Sequence, residues 1–162
     1  MRRNRTLAAM AIVVIMAFFL GCSDDNNPVQ TAQFGTVTGT VKLVGAWPAT
    51  GNVQVSIWSS WPPAGPPAGA SAIFTSGQNS QTYQIDGLSK GAYPVVTVGW
   101  RDPANPAGAK VLGIYWANSD SVGVADGRGI TLSGVQALPI NIADGNMSFT
   151  SINIKGNLDF AK

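Results

Sequence analysis

The chain contains neither histidine nor glutamate, and Cys22 is its single cysteine. Histidine is the commonest general base near neutral pH, and imidazole and thiolate are the usual protein ligands of zinc and haem iron. Their scarcity argues against Ser-His or Cys-His catalysis and against zinc or haem sites. All eight acidic residues are aspartates, which favour turns and caps over helix interiors. We therefore predict a non-enzymatic protein without a cofactor, built from strands and loops.

The first 22 residues have the layout of a secretory signal. Residues 1–5 carry three arginines, residues 6–20 are uncharged and mainly apolar, and Gly21 precedes Cys22. A basic start, a short apolar run and a small residue at the cleavage site characterise such signals. The run is shorter than the about 20 residues that a membrane-spanning helix needs. We therefore expect residues 1–21 to be a signal peptide that is removed on export.

Phe19-Leu20-Gly21-Cys22 resembles the lipobox of bacterial lipoproteins, although its leucine stands one position later than usual. The resemblance implies that Cys22 is acylated, with palmitate among the attached chains, and becomes the first residue of the mature protein. Ser23 resembles the residue that sorts Gram-negative lipoproteins to the outer membrane. Both the periplasmic and the surface face of that membrane remain alternative locations for the domain. The alternative is a conventional signal peptide with an incidental cysteine.

Residues 22–34 are polar and lack hydrophobic periodicity, which is typical of a flexible tether. The formal charge of +2 includes Arg2, Arg3 and Arg5 of the signal, so the rest of the chain carries no basic excess. We therefore expect no binding to nucleic acid. The expected partners are the membrane, through the lipid, other envelope proteins, and alternatively a polysaccharide.

From residue 35 to residue 162, apolar and polar residues alternate with a period of two, which indicates half-buried strands. Strands are predicted at 36–43, 53–58, 71–75, 81–86, 92–100, 111–116, 138–142 and from 149 onward. Glycine- and proline-rich turns separate them, and no helical period persists for ten residues. The pattern predicts an all-β domain, a single antiparallel β-sandwich of about seven or eight strands with a Greek-key order.

The last two predicted strands suggest a hairpin. Residues 138–142 would pair with a return strand that begins at Phe149, across a turn at 144–146. The alternation slips by one residue between Phe149 and Ile152. We interpret this slip as a β-bulge.

Gly39-Thr40-Val41-Lys42-Leu43 and the segment from Tyr83 to Tyr93 resemble the carboxypeptidase regulatory-like, or prealbumin-like, β-sandwich modules of exported bacterial proteins. The resemblance covers about residues 35–100. It implies that Gly39 lies in the first strand, that Leu88 packs under a connection, and that Gly91 and Tyr93 open the next strand. It also implies a non-enzymatic module that spaces, adheres or binds.

Three aromatic residues are candidate ligand-binding residues. Trp58 falls on the polar face of its strand, and Trp61 stands beside two prolines in a rigid loop. Tyr115 lies on the opposite face of its strand from Leu112 and Ile114. Exposed rings of this kind stack on sugars or on other proteins. The alternative is that the proline-rich loop folds back and the two tryptophans cover one another.

Loop oxygens at Asn118, Asp120 and Asp126 form a weak calcium candidate, because calcium binds carboxylates and carbonyls. Their spacing matches no defined calcium loop, so a solvated loop is the favoured interpretation. The adjacent Ser89 and Lys90 lie in a predicted turn and do not indicate catalysis. The sequence thus predicts a non-catalytic, lipid-anchored lipoprotein whose sandwich is a structural or protein-interaction module, or alternatively a carbohydrate-binding module.

Overall fold

The computed structural model describes residues 34–143 and 147–162, and these residues form ten strands and one short 3-10 helix. The strands are β1 (Gly35–Val44), β2 (Asn52–Trp58), β3 (Gly69–Ala70), β4 (Ser80–Leu88), β5 (Gly91–Tyr93), β6 (Val95–Asp102), β7 (Asn105–Ile114), β8 (Ile140–Ile142), β9 (Ser148–Phe149) and β10 (Ile154–Asn157). The 3-10 helix is Leu158–Ala161. The predicted all-β fold is confirmed.

The signal peptide at 1–21, Cys22 and the tether up to residue 33 lie outside the described residues. Within the described ranges, no helix has the length and apolar character needed to cross a bilayer.

The first sheet has the order β10-β1-β4, and β9 also pairs with β1. β4 is antiparallel to β1, whereas β9 and β10 run parallel to it. The predicted final hairpin is therefore wrong, because β8 pairs with β5 and not with β9. Residues 144–146, its proposed turn, lie outside the described residues. The buried Ile142 of β8 packs directly on Gly35, which fixes β8 beside the start of β1.

A break separates β9 from β10 along β1. Ser151 adopts a left-handed φ of 60°, and the backbone of Ile152 then crosses Gly39. A Cβ on Gly39 would lie 2.1 Å from the carbonyl oxygen of Ile152, so only glycine permits this approach. The β-bulge predicted between Phe149 and Ile152 is wrong: the chain breaks there into two strands, because Ser151 turns the backbone out of the extended conformation.

The second sheet has the order β3-β2-β6-β7 and is antiparallel. The register between β6 and β7 shifts around Leu112, which is the extra residue of a β-bulge. Leu112 therefore points into the sandwich, while Ile114 points to the other side. The prediction that Leu112 and Ile114 share one face is therefore wrong. It assumed a regular alternation along the strand, which the β-bulge interrupts.

The inner faces of the two sheets enclose the main core. Its fully buried members come from β1, β2, β4, β6, β7 and β10 and include Val37, Val41, Val53, Val55, Ile57, Ile85, Val96, Val98, Leu112 and Ile154. Leu88 and Tyr93 are also buried in it, and the Tyr93 hydroxyl donates a hydrogen bond of 2.7 Å to the carbonyl oxygen of Ser89. The sandwich thus rests on aliphatic packing between the sheets.

Close approach at one side ties the two sheets together. A Cβ on Gly113 of β7 would lie 1.9 Å from the carbonyl oxygen of Lys155 in β10. A Cβ on Gly156 would lie 2.9 Å from side-chain atoms of Leu43 and Val98. β10 therefore packs backbone to backbone against β7, and the absence of side chains at both glycines makes this contact possible.

Tyr83 of β4 is a buried polar residue within this arrangement. Its hydroxyl donates a hydrogen bond of 2.6 Å to the carbonyl oxygen of Ile152, at the break between β9 and β10. Burial raises the pKa of the Tyr83 phenol above its ordinary value, and the neighbouring Tyr115 adds to the shift. The phenol therefore stays neutral in the folded chain.

We expect Gly113→Ala to destabilise the protein by about 2 to 3 kcal/mol, because the added methyl group forces β7 away from β10. Gly91→Ala is the control, since a Cβ there has no neighbour within 4 Å, and we expect a change within about 0.5 kcal/mol. Urea unfolding followed by tryptophan fluorescence measures both. Equal unfolding midpoints for the two variants would contradict the proposed contact.

The raised pKa of Tyr83 predicts a loss of stability at alkaline pH. The stabilising contribution of the neutral phenol is complete below the pKa of the unfolded chain, about 10, and is lost as the pH rises above it. We expect the free energy of unfolding to fall above about pH 10, and Tyr83→Phe to remove part of that fall. Urea titrations of both proteins at several pH values test this, and identical pH slopes would refute it.

Candidate functional site

A second hydrophobic cluster covers part of the outer face of the second sheet, the face turned away from the main core. Its fully buried members are Val95, Ile114 and Val124. Partly buried residues of β2, β7, the proline-rich loop, residues 116–137 and the C-terminal 3-10 helix pack on it; they are Trp58, Trp61, Val111, Trp116, Val122, Val135, Ala137 and Phe160. We call this cluster the outer core.

The structure brings Trp58 and Trp61 together in the outer core. The Trp58 indole N–H donates a hydrogen bond of 3.0 Å to the hydroxyl of the buried Thr97. The Trp61 ring lies against Gly129, where an added Cβ would be 3.1 Å from ring atom Cη2. The proline-rich loop therefore folds back on the sheet, and the two rings do not form a flat row of free surfaces.

Tyr115 belongs to a different part of the molecule. Its ring packs against the main core, and its backbone N–H donates to the carbonyl oxygen of Val96 at 2.8 Å. It therefore lies across the sheet from Trp58 and Trp61, on the same side as Leu112 and opposite Ile114. The prediction that Tyr115 faces away from both Leu112 and Ile114 is correct only for Ile114, because the β-bulge at Leu112 shifts the alternation.

Beside the outer core, the outer face of the second sheet stays open as a cleft with a volume of about 590 Å³. β2, β6 and β7 form its floor, and the half-buried Trp58 separates it from the outer core. Pro63 and Pro67 form part of its wall. Ligand sites typically have this size and combine an aromatic surface with a few polar groups.

The register of β2 and β6 shapes the floor of this cleft. Gln54 lies opposite Gly99, which has no side chain, and Asn52 lies opposite Arg101. The side chains of Asn52, Gln54 and Arg101 make no hydrogen bond or ion pair within residues 34–143 and 147–162. Two amides and one guanidinium group therefore line the cleft with their hydrogen-bonding capacity unused.

The opposite wall carries Lys110, Gly127 and Arg128. The Arg128 side chain forms an ion pair with Asp126, in which Arg128 Nε donates at 2.8 Å. Hydrogen bonds from the side chain and backbone of Arg128 hold the pKa of the Asp126 carboxyl below its ordinary value, and the charges of Arg128 and Lys110 lower it further. Asp126 thus stays ionised and positions Arg128 at the cleft.

The calcium candidates do not act as a common ligand set. The Asn118 side-chain oxygen accepts a hydrogen bond from the backbone N–H of Asp120 at 2.9 Å, which closes a turn. Asp126 is engaged by Arg128, as described above. No group of three or more acidic or cysteine side chains lies close enough together to hold a metal ion within the part of the chain that is described.

The chain matches no family model, and no curated protein or solved structure is significantly similar to it. The resemblances to bacterial lipoproteins and to prealbumin-like modules therefore stay predictions.

Sequence reasoning identified Trp58 but missed Asn52, Gln54 and Arg101. The alternation of β2 already assigned Gln54 to the polar face shared with Trp58, which was the one available signal. Nothing in the sequence showed that Arg101 lies across from Asn52, because their pairing joins two segments about fifty residues apart.

Trp61→Ala should destabilise the protein by about 2 kcal/mol, because it removes a half-buried ring from the outer core. Ile73→Ala is a suitable control, since Ile73 is 56% exposed, and it should change stability by less than about 0.5 kcal/mol. Chemical unfolding of both variants measures the difference. A Trp61 variant as stable as the control would show that the ring contributes no packing.

Proposed function

We propose that the protein is a non-catalytic, lipid-anchored lipoprotein of the outer membrane that binds a polysaccharide of the cell envelope in the cleft beside Trp58. The observation that carries this proposal is the set of unpaired groups in the cleft, the Asn52 and Gln54 amides and the Arg101 guanidinium. Amides and guanidinium groups bind hydroxyls, and an indole face stacks on a sugar ring.

The chemistry of the cleft supports binding without turnover. Its lining contains neither a carboxylate nor a histidine, so no general base near neutral pKa faces a ligand there. Ser56 and Thr97 are both largely buried, and the Thr97 hydroxyl already accepts a hydrogen bond from Trp58. Neither hydroxyl has a neighbouring base that could activate it as a nucleophile.

A structural or protein-interaction module is the second candidate function. Ile130 and Leu132 flank Thr131, which pairs with the buried Val124, so both point away from the outer core. They are 52% and 39% exposed, respectively. Exposed aliphatic side chains on one side of a hairpin favour contact with another envelope protein.

Cys22→Ser tests the membrane anchor. We expect the variant to leave the membrane fraction after a high-salt wash and to incorporate no labelled palmitate, because it lacks the thiol that accepts acyl chains. Expression of both forms in a Gram-negative host, followed by fractionation, measures this. A Cys22→Ser protein that remains in the outer membrane would contradict lipid anchoring.

Gln54→Ala tests polysaccharide binding in the cleft. We expect it to weaken retention in affinity electrophoresis on envelope polysaccharide by about fivefold, because one or two hydrogen bonds to the ligand are lost. Gln136→Ala is the matched control, since Gln136 is an exposed amide outside the cleft. If Gln54→Ala and Gln136→Ala migrate alike while Ile130→Asp abolishes recovery of a cross-linked envelope protein, the second candidate function replaces the first.

A further inference from the structure

Basic side chains are concentrated at the cleft. Arg101, Lys110 and Arg128 line it, whereas none of the aspartates in the described ranges does. Arg101 has no ion-pair partner within those ranges, Arg128 pairs with Asp126, and Lys110 acts on the Asp126 carboxylate only through its charge. The cleft therefore carries a net positive charge, in a chain whose described residues are close to neutral overall.

The central strand of the cleft floor has no free edge. β6 pairs with β2 on one side and with β7 on the other, whereas β7 is the edge strand of the sheet and β2 pairs with β3 through Ser56 and Ile57. A peptide therefore cannot add beside β6 as an extra strand, which is a common way for sheets to capture peptides. The groups that line the cleft are side chains, among them amides, guanidinium groups, an ammonium group and an indole.

The polar side chains of β2 make the binding site elongated. Asn52, Gln54, Ser56 and Trp58 point to the same side at two-residue intervals and span about 20 Å from first to last. The unpaired polar groups lie at the Asn52 end and the indole at the other end. This separation suits an extended chain of rings better than one small anion.

We infer that the cleft binds an acidic saccharide, a short stretch of a sugar chain whose rings carry carboxylate groups. Arg101 forms a two-point hydrogen-bonded pair with one carboxylate, and Lys110 and Arg128 attract others. The amides of Asn52 and Gln54 bond ring hydroxyls, and Trp58 stacks on one ring. This inference rests on the proposed polysaccharide binding and adds the charge of the ligand.

An oligogalacturonide and its methyl ester test the inference, because they share every ring and esterification replaces each charged carboxylate with a neutral ester. Calorimetry with the full chain should show binding of the acidic form and at least about tenfold weaker binding of the ester. Affinity for the acidic form should also fall as salt is raised from about 50 to about 500 mM, a range that brackets the physiological ionic strength of about 0.15 M, because salt screens the attraction between opposite charges. Equal affinity for the two oligosaccharides would overturn the inference but leave polysaccharide binding intact.

Variants locate the interaction. Arg101→Gln should weaken binding of the acidic oligosaccharide by at least about tenfold and binding of the ester by much less, because only the acidic form loses a charged pair. Lys42→Gln removes the same charge from an exposed position on the other sheet and should change neither affinity. Far-UV circular dichroism confirms that both variants fold. If poly-aspartate binds as tightly as the acidic oligosaccharide, the ligand is an acidic protein segment and the inference of a saccharide is overturned. If none of the three compounds binds, both the inference and the proposed polysaccharide binding are overturned.

Discussion

One extra residue in β7, Leu112, determines which side chains of the second sheet face the main core and which face the outer core. The bulge keeps Leu112 in the main core and directs Ile114 to the outer face, where it joins Val95 and Val124. Burying an aliphatic side chain contributes about 1.5 to 3 kcal/mol, whereas the hydrogen bond from Trp58 to Thr97 contributes about 1 kcal/mol. Packing on Ile114 therefore dominates the outer core, and the outer core in turn positions Trp58 at the cleft.

The second sheet consequently has two different outer regions. One is covered by the outer core, and the other is open and lined by polar and basic groups. Because β6, the central floor strand, is paired on both edges and the wall contains prolines, the cleft is formed before any ligand arrives. Such preorganisation reduces the conformational entropy that binding would otherwise lose.

Much of the fold followed from alternation alone. The predicted strands at 36–43, 53–58, 81–86 and 92–100 correspond to β1, β2, β4 and β5–β6, and the apolar residues of the first three repeat every two positions and are buried, as a half-buried strand requires. The pairing of β9 and β10 with β1 was not predicted, because a parallel partner is set by contacts more than a hundred residues apart. The candidate site was predicted only in part: Trp58 was identified, but Arg101 reaches the cleft through strand pairing that no local pattern encodes.

The sequence by itself determined the strand content, the inward faces and the scarcity of groups that could serve as a base or bind zinc. It also carries the signal pattern around Cys22, which is read from composition and order alone. Only the tertiary structure decided that the proline-rich loop folds back onto the outer core and that Asn52, Gln54 and Arg101 share one cleft. The physical reason is the distance along the chain over which each interaction acts. Alternation and turn chemistry act between neighbours in the chain, whereas a cleft is made by side chains that sheet pairing brings together from distant segments.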